Sequence, residues 1–168
     1  MSYDDASVDA AVSNFGVIFC PHVERALGEM VRVTRAGGAL MFSAWTSEKR
    51  SGWQGLLTAD HAEQLGFALP LPVVFHWSSP QDVASMCAAA GWSAVDVETI
   101  DAPPTRVASW REFGSVLDSP GTRANLAALT DVQRAVLRDY LTGRAHDVFG
   151  DNEVVLQREA WLIRGRKP

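Results

Sequence analysis

The stretch that decides the fold is Val8–Trp45, which reads VDAAVSNFGVIFCPHVERALGEMVRVTRAGGALMFSAW. Its first part, Val8–Phe19, is apolar with few interruptions and no strict alternation, which is typical of a strand buried on both faces of a parallel sheet. Its last part, Ala39–Trp45, has the same character and predicts a second buried strand. Two such strands with a helix between them form a βαβ unit, which we expect to be parallel and right-handed.

The helix between these strands is predicted from its hydrophobic spacing. Apolar residues recur at helical intervals from Val23 to Val31, and charged residues occupy the other side. Pro21 ends the preceding strand. We expect the helix to end at Arg35, because the pair Gly37-Gly38 supplies a C-terminal stop.

The rest of the chain predicts further elements from hydrophobic spacing and turn residues. Helices are expected at Trp53–Leu65, at Pro80–Gly91 behind an N-cap at Ser79, and behind two capping boxes, Ser109-x-x-Glu112 and Thr130-x-x-Gln133. Strands are expected at Ala94–Ile100 and Val154–Ile163. Connections are expected at Ser47–Ser51, Phe67–Trp77 and Asp101–Pro104.

The predicted order is β-α-β-α-α-β-α-α-β, so the fold class is α/β, with helices on both faces of the sheet and a helical insert before the last strand. We expect a single domain over residues 1–168. Its parts are a βαβ core unit at 4–45, helices and a third strand at 46–100, a helical insert or lid at 101–152, and the last strand and tail at 153–168.

Composition excludes several classes of protein. The chain has 168 residues, 47% of them hydrophobic, and a net charge of -5, which argues against disorder and against a surface that tracks nucleic-acid phosphates. The apolar runs Ala10–Cys20 and Gly37–Trp45 are shorter than the roughly 20 residues that span a bilayer. We therefore expect no membrane or nucleic-acid partner, and a cytoplasmic location.

Cysteine and histidine spacing predicts neither a disulfide framework nor a metal site. Cys20 and Cys87 lack C-x-x-C spacing and lie in apolar segments, so we expect two buried thiols in a reducing cytoplasm. His61, His76 and His146 have no metal-ligand spacing.

Several short motifs carry a resemblance to a known family. They are a strand opened by Asp9 and ended by Ser13-Asn14-Phe15-Gly16, Phe19 before a proline turn, a helix with Glu29-Met30 and Arg32-Val33, the pair Gly37-Gly38, a strand ended by Ser43-Ala44-Trp45, and later Ala89-Ala90-Gly91-Trp92 and Glu159–Ile163. In these motifs the chain resembles class I S-adenosylmethionine-dependent methyltransferases of the type found in ubiquinone and menaquinone biosynthesis. Ala36 departs from the family, which usually has proline there.

The resemblance implies a fold, a cofactor and a reaction. The segment corresponds to strands four to seven of the family's seven-stranded sheet, so the expected fold is a partial Rossmann-like methyltransferase sheet. The implied cofactor is S-adenosyl-L-methionine, and the implied reaction is in-line transfer of its methyl group to a small organic acceptor. The family's glycine-rich turn has no counterpart, because the 13 glycines include no G-x-G. We therefore expect a truncated methyltransferase domain.

The resemblance also implies cofactor-binding residues. Ser13, Asn14, Phe15 and Gly16 end the first strand, where open α/β sheets bind their ligands, and would line the methionine end of the cofactor. In this interpretation Gly16 permits close approach. The alternative is that Asn14 and Gly16 only form a bend.

Five further side chains are candidates for the acceptor and its chemistry. His22 could act as a general base on an acceptor hydroxyl, because its ordinary pKa near 6.5 suits that role, or it could solvate or cap a helix. Aromatic side chains predict the substrate pocket, with core and lid packing as the alternative, and they are Phe19, Trp45, Trp53 and Trp110.

A second hypothesis is a non-catalytic methyltransferase remnant that dimerises or docks on a partner. If Val8–Phe19 lacks a neighbouring strand on its outer side, it is an apolar edge strand that favours association. We expect a second copy of the chain or a partner chain to cover that edge.

Overall fold

The computed structural model describes residues 2–46, 52–69, 77–119, 122–123 and 126–168. Within them the helices and strands are β1 (Val8–Ser13), α1 (Val23–Val33), β2 (Thr34–Trp45), α2 (His61–Leu65), α3 (Pro80–Ala89), β3 (Ser93–Val107), α4 (Gly114–Leu117), α5 (Asp131–Phe149) and β4 (Val154–Arg166). Short 3₁₀ turns lie at Val17–Phe19, Gly52–Leu56 and Trp110–Glu112. This order confirms the predicted alternation of strands and helices.

The four described strands form one sheet in the order β1-β2-β4-β3. β1 pairs with β2 in parallel, which confirms the predicted parallel βαβ unit, and β4 runs antiparallel to β2. The carboxyl ends of β1 and β2 therefore lie side by side, with Ser13 opposite Phe42. The expected partial α/β sheet is present.

β1 is shorter and more exposed than the sequence predicts. It ends at Ser13 rather than at Phe19, because Phe15 adopts a left-handed φ of 52° and the Ser13 hydroxyl accepts a hydrogen bond from the Val17 N–H. The predicted burial on both faces is also wrong, since Val12 is 68% exposed at the edge of the described sheet.

The glycine pair sits inside β2 rather than after the helix. α1 ends at Val33, and β2 begins directly at Thr34, with an irregularity in its pairing to β1 between Val8 and Ala10. Gly37 has a φ of 73° within this irregularity, and its N–H donates to the Lys167 carbonyl. The pair therefore shapes a bulge in the strand.

A Cβ atom at Gly38 would lie 2.8 Å from the backbone oxygens of both Asp9 and Arg35. Real Cβ atoms essentially never approach so closely, so the backbones can meet here only because the residue is glycine.

Two predicted helices are interrupted in the structure. The predicted helix Trp53–Leu65 is instead a 3₁₀ turn followed by α2. Between them the Thr58 backbone N–H donates a hydrogen bond to the Tyr140 hydroxyl at 3.3 Å, so it is not available to a continuous helix. The predicted capping box at Ser109 is also wrong, since the Ser109 side chain makes no cap hydrogen bond and only a 3₁₀ turn and the four-residue α4 follow.

Other local predictions are confirmed or extended. The Ser79 hydroxyl caps α3 by accepting from the Asp82 N–H, and Thr130 and Gln133 form the predicted capping box of α5. β3 continues to Val107, so the predicted turn at Asp101–Pro104 is strand instead. The predicted loop Ser47–Ser51 and most of the stretch Phe67–Trp77 lie outside the described residues.

The chain divides into two compact units, each with its own apolar core. The first comprises 1–47, 73–102 and 159–168, and its core contains buried side chains such as Leu27, Phe42 and Ile163. The second comprises 48–72 and 103–158, and its core contains Phe113, Leu137 and Leu141.

One of the two thiols differs from expectation. Cys87 is buried as predicted, and burial raises the pKa of its thiol to about 12, whereas Cys20 is only half-buried. Near the start of the chain, Arg32 donates to the Asp5 carboxylate at 2.6 Å and to the Glu29 carboxylate at 2.8 Å. The Arg32 guanidinium lowers the pKa of Glu29 to about 2.

The described residues contain neither a candidate membrane span nor a candidate metal cluster. Within them, no helix combines the length and apolar character that crossing a membrane requires. The same residues hold no group of three or more His, Cys, Asp or Glu side chains placed to bind a metal ion. The cytoplasmic location stays a prediction.

Candidate functional site

The candidate site lies at the carboxyl ends of the parallel strands β1 and β2. In parallel α/β sheets, ligands bind at this edge, because the loops that follow neighbouring strands converge there. The loop after β1 carries Ser13, Asn14, Phe15 and Gly16, and Ser43 lies near the end of β2.

Ser43 joins the two strand ends. Its hydroxyl accepts a hydrogen bond from the Phe15 backbone N–H at 2.9 Å and donates to the Asn14 side-chain oxygen at 2.9 Å. One side chain of β2 therefore fixes the backbone of the loop and the orientation of the Asn14 amide. Ser43 is 7% exposed, so this contact is shielded from competing water.

An aromatic pair lies beside this network. The rings of Phe15 and Trp45 stack with centroids 4.3 Å apart and an interplanar angle of 26°. Both side chains are half-buried, so part of each remains at the surface. The pair joins the loop after β1 to the last residue of β2.

Gly16 matters to the loop because it has no side chain, and its backbone conformation is an ordinary one. Its φ is -86°, which any residue adopts, and the left-handed residue of the loop is Phe15. A Cβ at Gly16 would lie 3.0 Å from the Ser13 hydroxyl oxygen, which accepts from the Val17 N–H. Glycine therefore leaves room for the contact that turns the chain after β1.

The chemistry open to this group of residues is binding and orientation. Ser13, Asn14, Phe15, Gly16, Ser43 and Trp45 include no side chain that ionises near neutral pH. The group offers hydroxyl and amide dipoles together with ring faces. A proton acceptor would have to come from elsewhere.

His22 lies outside this hydrogen-bond network. It occupies the N-cap position of α1 without making a side-chain cap hydrogen bond, and its Nδ1 lies 3.7 Å from the Glu24 carboxylate. Its side chain is 66% exposed, so solvent reaches the imidazole. The capping alternative is not realised, and a role as general base stays a prediction.

The four predicted pocket aromatics occupy different environments. Phe19 is 61% exposed, and Trp45 stacks on Phe15, both in the first compact unit. In the second unit Trp53 is buried in the apolar core, which is the packing alternative, and Trp110 donates to the Asp151 carboxylate at 3.3 Å. The backbone N–H of Phe19 donates to the Gly16 carbonyl at 3.1 Å, and among the described ring contacts Trp45 is the one of the four that stacks on the loop at the end of β1.

Sequence reasoning missed the role of Ser43 and the stacking of Phe15 on Trp45. The signal available was a hydroxyl and an aromatic residue near the end of the neighbouring parallel strand. Recognising it required the register of β1 against β2, which places these side chains together across 28 or 29 residues of chain.

The first part of the chain is similar in sequence to known proteins. The sequence profile described as "Methyltransferase domain" matches residues 1–42, which contain β1, α1 and most of β2. A malonyl-acyl-carrier-protein O-methyltransferase of Pectobacterium atrosepticum is 36% identical over 74 residues. The first part of the chain is therefore similar to methyltransferase domains.

Solved structures show that this chain shares the fold of larger proteins. A methyltransferase from Bacillus halodurans matches with a TM-score of 0.57 at 13% identity, covering 100% of this chain and 73% of that one. The cyclase SpnF matches with a TM-score of 0.53 at 20% identity, covering 100% of this chain and 53% of that one.

The chain spans only part of the length of the curated relative that it matches. The alignment to the Pectobacterium protein includes 42% of this chain and only 28% of the length of that enzyme.

Proposed function

We propose that the chain forms part of an S-adenosylmethionine-dependent methyltransferase that acts on a small organic acceptor. The observation that carries this proposal is the loop at residues 13–16, fixed by Ser43 at the carboxyl ends of β1 and β2. The family profile covers this loop, which supports the same conclusion.

The residues of the loop fit the methionine end of the cofactor. The Asn14 oxygen is engaged by Ser43, so its amide nitrogen is the part of that exposed side chain suited to donate to a ligand. The faces of Phe15 and Trp45 attract cations, and S-adenosylmethionine carries a positive sulfonium. When bound, the cofactor supplies an electrophilic methyl group.

The chain's own contribution is positioning. Ser43 holds the loop, Asn14 presents its amide, and the aromatic pair presents ring surface. Correct placement of two reactants can supply several kcal/mol of the barrier reduction, about 7–11 in the best intramolecular models. For a hydroxyl acceptor, His22 is the proposed base because its imidazole is 66% exposed and so accessible to an acceptor.

The acceptor is proposed only as a class. The name of the Pectobacterium relative specifies O-methylation of a malonyl group on a carrier protein, and that describes the relative. A cyclase with the same fold shows that the fold does not determine the reaction. The proposal for this chain therefore rests on the site loop.

Calorimetric titration of the purified chain with S-adenosylhomocysteine tests the proposal. We expect binding that weakens about tenfold or more in Ser43→Ala, since a difference of about 1.4 kcal/mol is tenfold in affinity. Ser93→Ala is the matched control, because the Ser93 hydroxyl donates to the Arg166 carbonyl away from this loop. A folded chain that releases no binding heat contradicts the proposal.

The second candidate function is association without catalysis, through the outer edge of β1. β1 is an edge strand of the described sheet, and Tyr3, Val12 and Phe19 are exposed near it. A groove of about 590 Å³ lies beside the strand, lined in part by Val12, Cys20 and Met30. Exposed edges of this kind favour pairing with another chain.

For this function we propose a second copy of the chain as the occupant. Two identical edges can pair antiparallel about a two-fold axis, the commonest symmetry of soluble oligomers. Asp5 and Asp9 at this edge are ion-paired with Arg32 and Arg35 of the same chain, so two copies meet with less like-charge repulsion.

Light scattering coupled to size exclusion tests this association. We expect a dimer that Val12→Lys converts to a monomer, because a charge would be buried at the paired edge. Val132→Lys is the matched control, since Val132 is 74% exposed on α5. A wild-type chain that stays monomeric at every concentration overturns the proposal.

A further inference from the structure

A second cavity lies within the compact unit formed by 48–72 and 103–158. Its volume is about 480 Å³, within the range typical of small-molecule sites. Its apolar lining includes Leu117, Leu126 and Leu137, and its charged lining comprises Arg123, Arg134, Arg138, Asp118 and Asp131. None of these residues belongs to the loop at residues 13–16.

The cavity is locally cationic in an acidic chain. Its lining includes three arginine and two aspartate side chains, whereas the chain as a whole carries a net charge of -5. The excess of one positive charge matches a ligand with one negative charge.

Asp118 organises two of the arginines. Its carboxylate accepts from Arg138 Nη2 at 2.8 Å, and its backbone carbonyl accepts from Arg123 Nη2 at 3.1 Å. The Arg138 guanidinium lowers the pKa of the Asp118 carboxyl, so the pair stays charged at neutral pH. Two cations are therefore positioned before any ligand arrives.

The absence of a side chain at Gly114 leaves room for the Arg138 guanidinium. A Cβ atom at Gly114 would collide with Arg138 Nη1, so the guanidinium packs where any other residue would put a side chain. Arg134 is held in a similar way, since it donates to the Leu129 carbonyl and to Asp131.

The arginines retain capacity to bind a ligand. A guanidinium has five N–H donors, and the described hydrogen bonds engage one nitrogen of Arg123, one of Arg138 and two of Arg134. The planar fork of such a group matches a carboxylate in a bidentate manner.

We propose that this cavity binds a small organic monoanion, a carboxylate with an apolar body. The arginines bind the carboxylate, and the leucine side chains of the lining contact the apolar body. An inorganic anion would bind the arginines but would make no use of the leucine side chains. The residues that line this cavity are not those of the proposed methyl-transfer site, so its test does not depend on that function.

Binding of benzoate to the full chain, followed by NMR chemical-shift titration, tests the proposal. We expect saturable shifts at cavity residues, no such saturation with neutral benzyl alcohol, and weaker binding of inorganic phosphate than of benzoate. Equal binding of benzyl alcohol, or tighter binding of phosphate, overturns the assigned ligand class. Absence of saturable shifts in the folded chain overturns the site.

Two variants locate the site. Arg138→Gln removes one cation, and Gly114→Ala displaces the same cation without changing the charge of the chain. We expect each to weaken benzoate binding about tenfold, the change produced by about 1.4 kcal/mol. The matched control is Arg106→Gln, because Arg106 pairs with Glu153 on the surface and does not line the cavity. Equal weakening by the control contradicts the assignment.

Discussion

At the scale of single residues, Ser43 has the largest consequence for the site. A buried backbone N–H that loses its acceptor costs free energy comparable to a lost hydrogen bond, and the Phe15 N–H depends on Ser43 for that acceptor. The residue therefore combines a structural role with the placement of the proposed cofactor loop.

We expect Ser43→Ala to lower the free energy of unfolding by about 1 kcal/mol, the usual net contribution of a hydrogen bond, because the Phe15 N–H loses its acceptor in a part-buried contact. Urea denaturation measures this change, and hydrogen exchange should show faster exchange of the Phe15 amide. The Ser93→Ala control removes a hydroxyl at an exposed hydrogen bond and should change stability by less. Equal losses in the two variants would assign no special role to Ser43.

The two cysteines should differ sharply in reactivity. Burial raises the pKa of Cys87 to about 12, so its thiolate is scarce at pH 8, whereas Cys20 is partly accessible. We expect one thiol per folded chain to react rapidly with a disulfide reagent, and the second to react only after denaturation. Cys20→Ser should abolish the rapid phase, and Cys87→Ser should retain it. Rapid reaction of Cys87 would contradict its burial.

At the scale of elements, two sequence motifs of the same type have different outcomes. Thr130 and Gln133 form a capping box at the start of the 19-residue α5, whereas Ser109 makes no cap hydrogen bond. Thr130→Ala should destabilise the chain by about 1 kcal/mol, and Ser109→Ala should change its stability by a few tenths at most. Thermal unfolding of both variants makes the comparison, and similar effects would refute it.

The elements also show which parts of the fold the sequence could predict. α3 and α5 were predictable because their apolar spacing and caps agree locally, whereas α1 was predictable from its apolar spacing, since its predicted glycine stop lies inside β2. The division of Trp53–Leu65 was not predictable, since it involves a hydroxyl from Tyr140 82 residues away. The extension of β3 through Pro103 and Pro104 opposes local propensity, because proline donates no ladder hydrogen bond.

The candidate site also has one part that the local sequence predicts and one part that depends on distant residues. The loop at residues 13–16 was predictable as a strand end, because it follows an apolar run and contains turn residues. Its attachment to Ser43 and Trp45 depends on strand register, which a one-residue shift would change completely.

At the scale of the whole molecule, ion pairs and polar caps make stability depend on pH. Arg32 lowers the pKa of Glu29 to about 2, and hydrogen bonds from Ser78 and Ser79 lower that of Asp82. A carboxyl whose pKa is lower in the folded than in the unfolded chain stabilises the fold above its unfolded pKa, and this contribution is lost as the pH falls toward the folded value.

We therefore expect the free energy of unfolding to fall as the pH decreases from about 4.5 toward 2, where these carboxylates become protonated. Urea denaturation at a series of pH values measures the slope. Glu29→Gln should reduce that slope because the uncharged amide no longer titrates. A slope unchanged in Glu29→Gln would show that the pair with Arg32 does not contribute.

The adjacent glycines of β2 illustrate a difference that composition hides. Gly37 has a left-handed backbone with no atom near the position of a Cβ, whereas Gly38 is crowded by two backbone oxygens. At Gly37 the positive φ disfavours L-amino acids, and at Gly38 the nearby backbone atoms leave no volume for any side chain. A D-alanine introduced at Gly37 by chemical synthesis should therefore be accommodated, because its mirror-image stereochemistry favours positive φ. At Gly38 the side chain of L-alanine has no room between the strands. In a library of all single substitutions, both positions would therefore reject most residues, Gly37 because of its backbone conformation and Gly38 because of crowding.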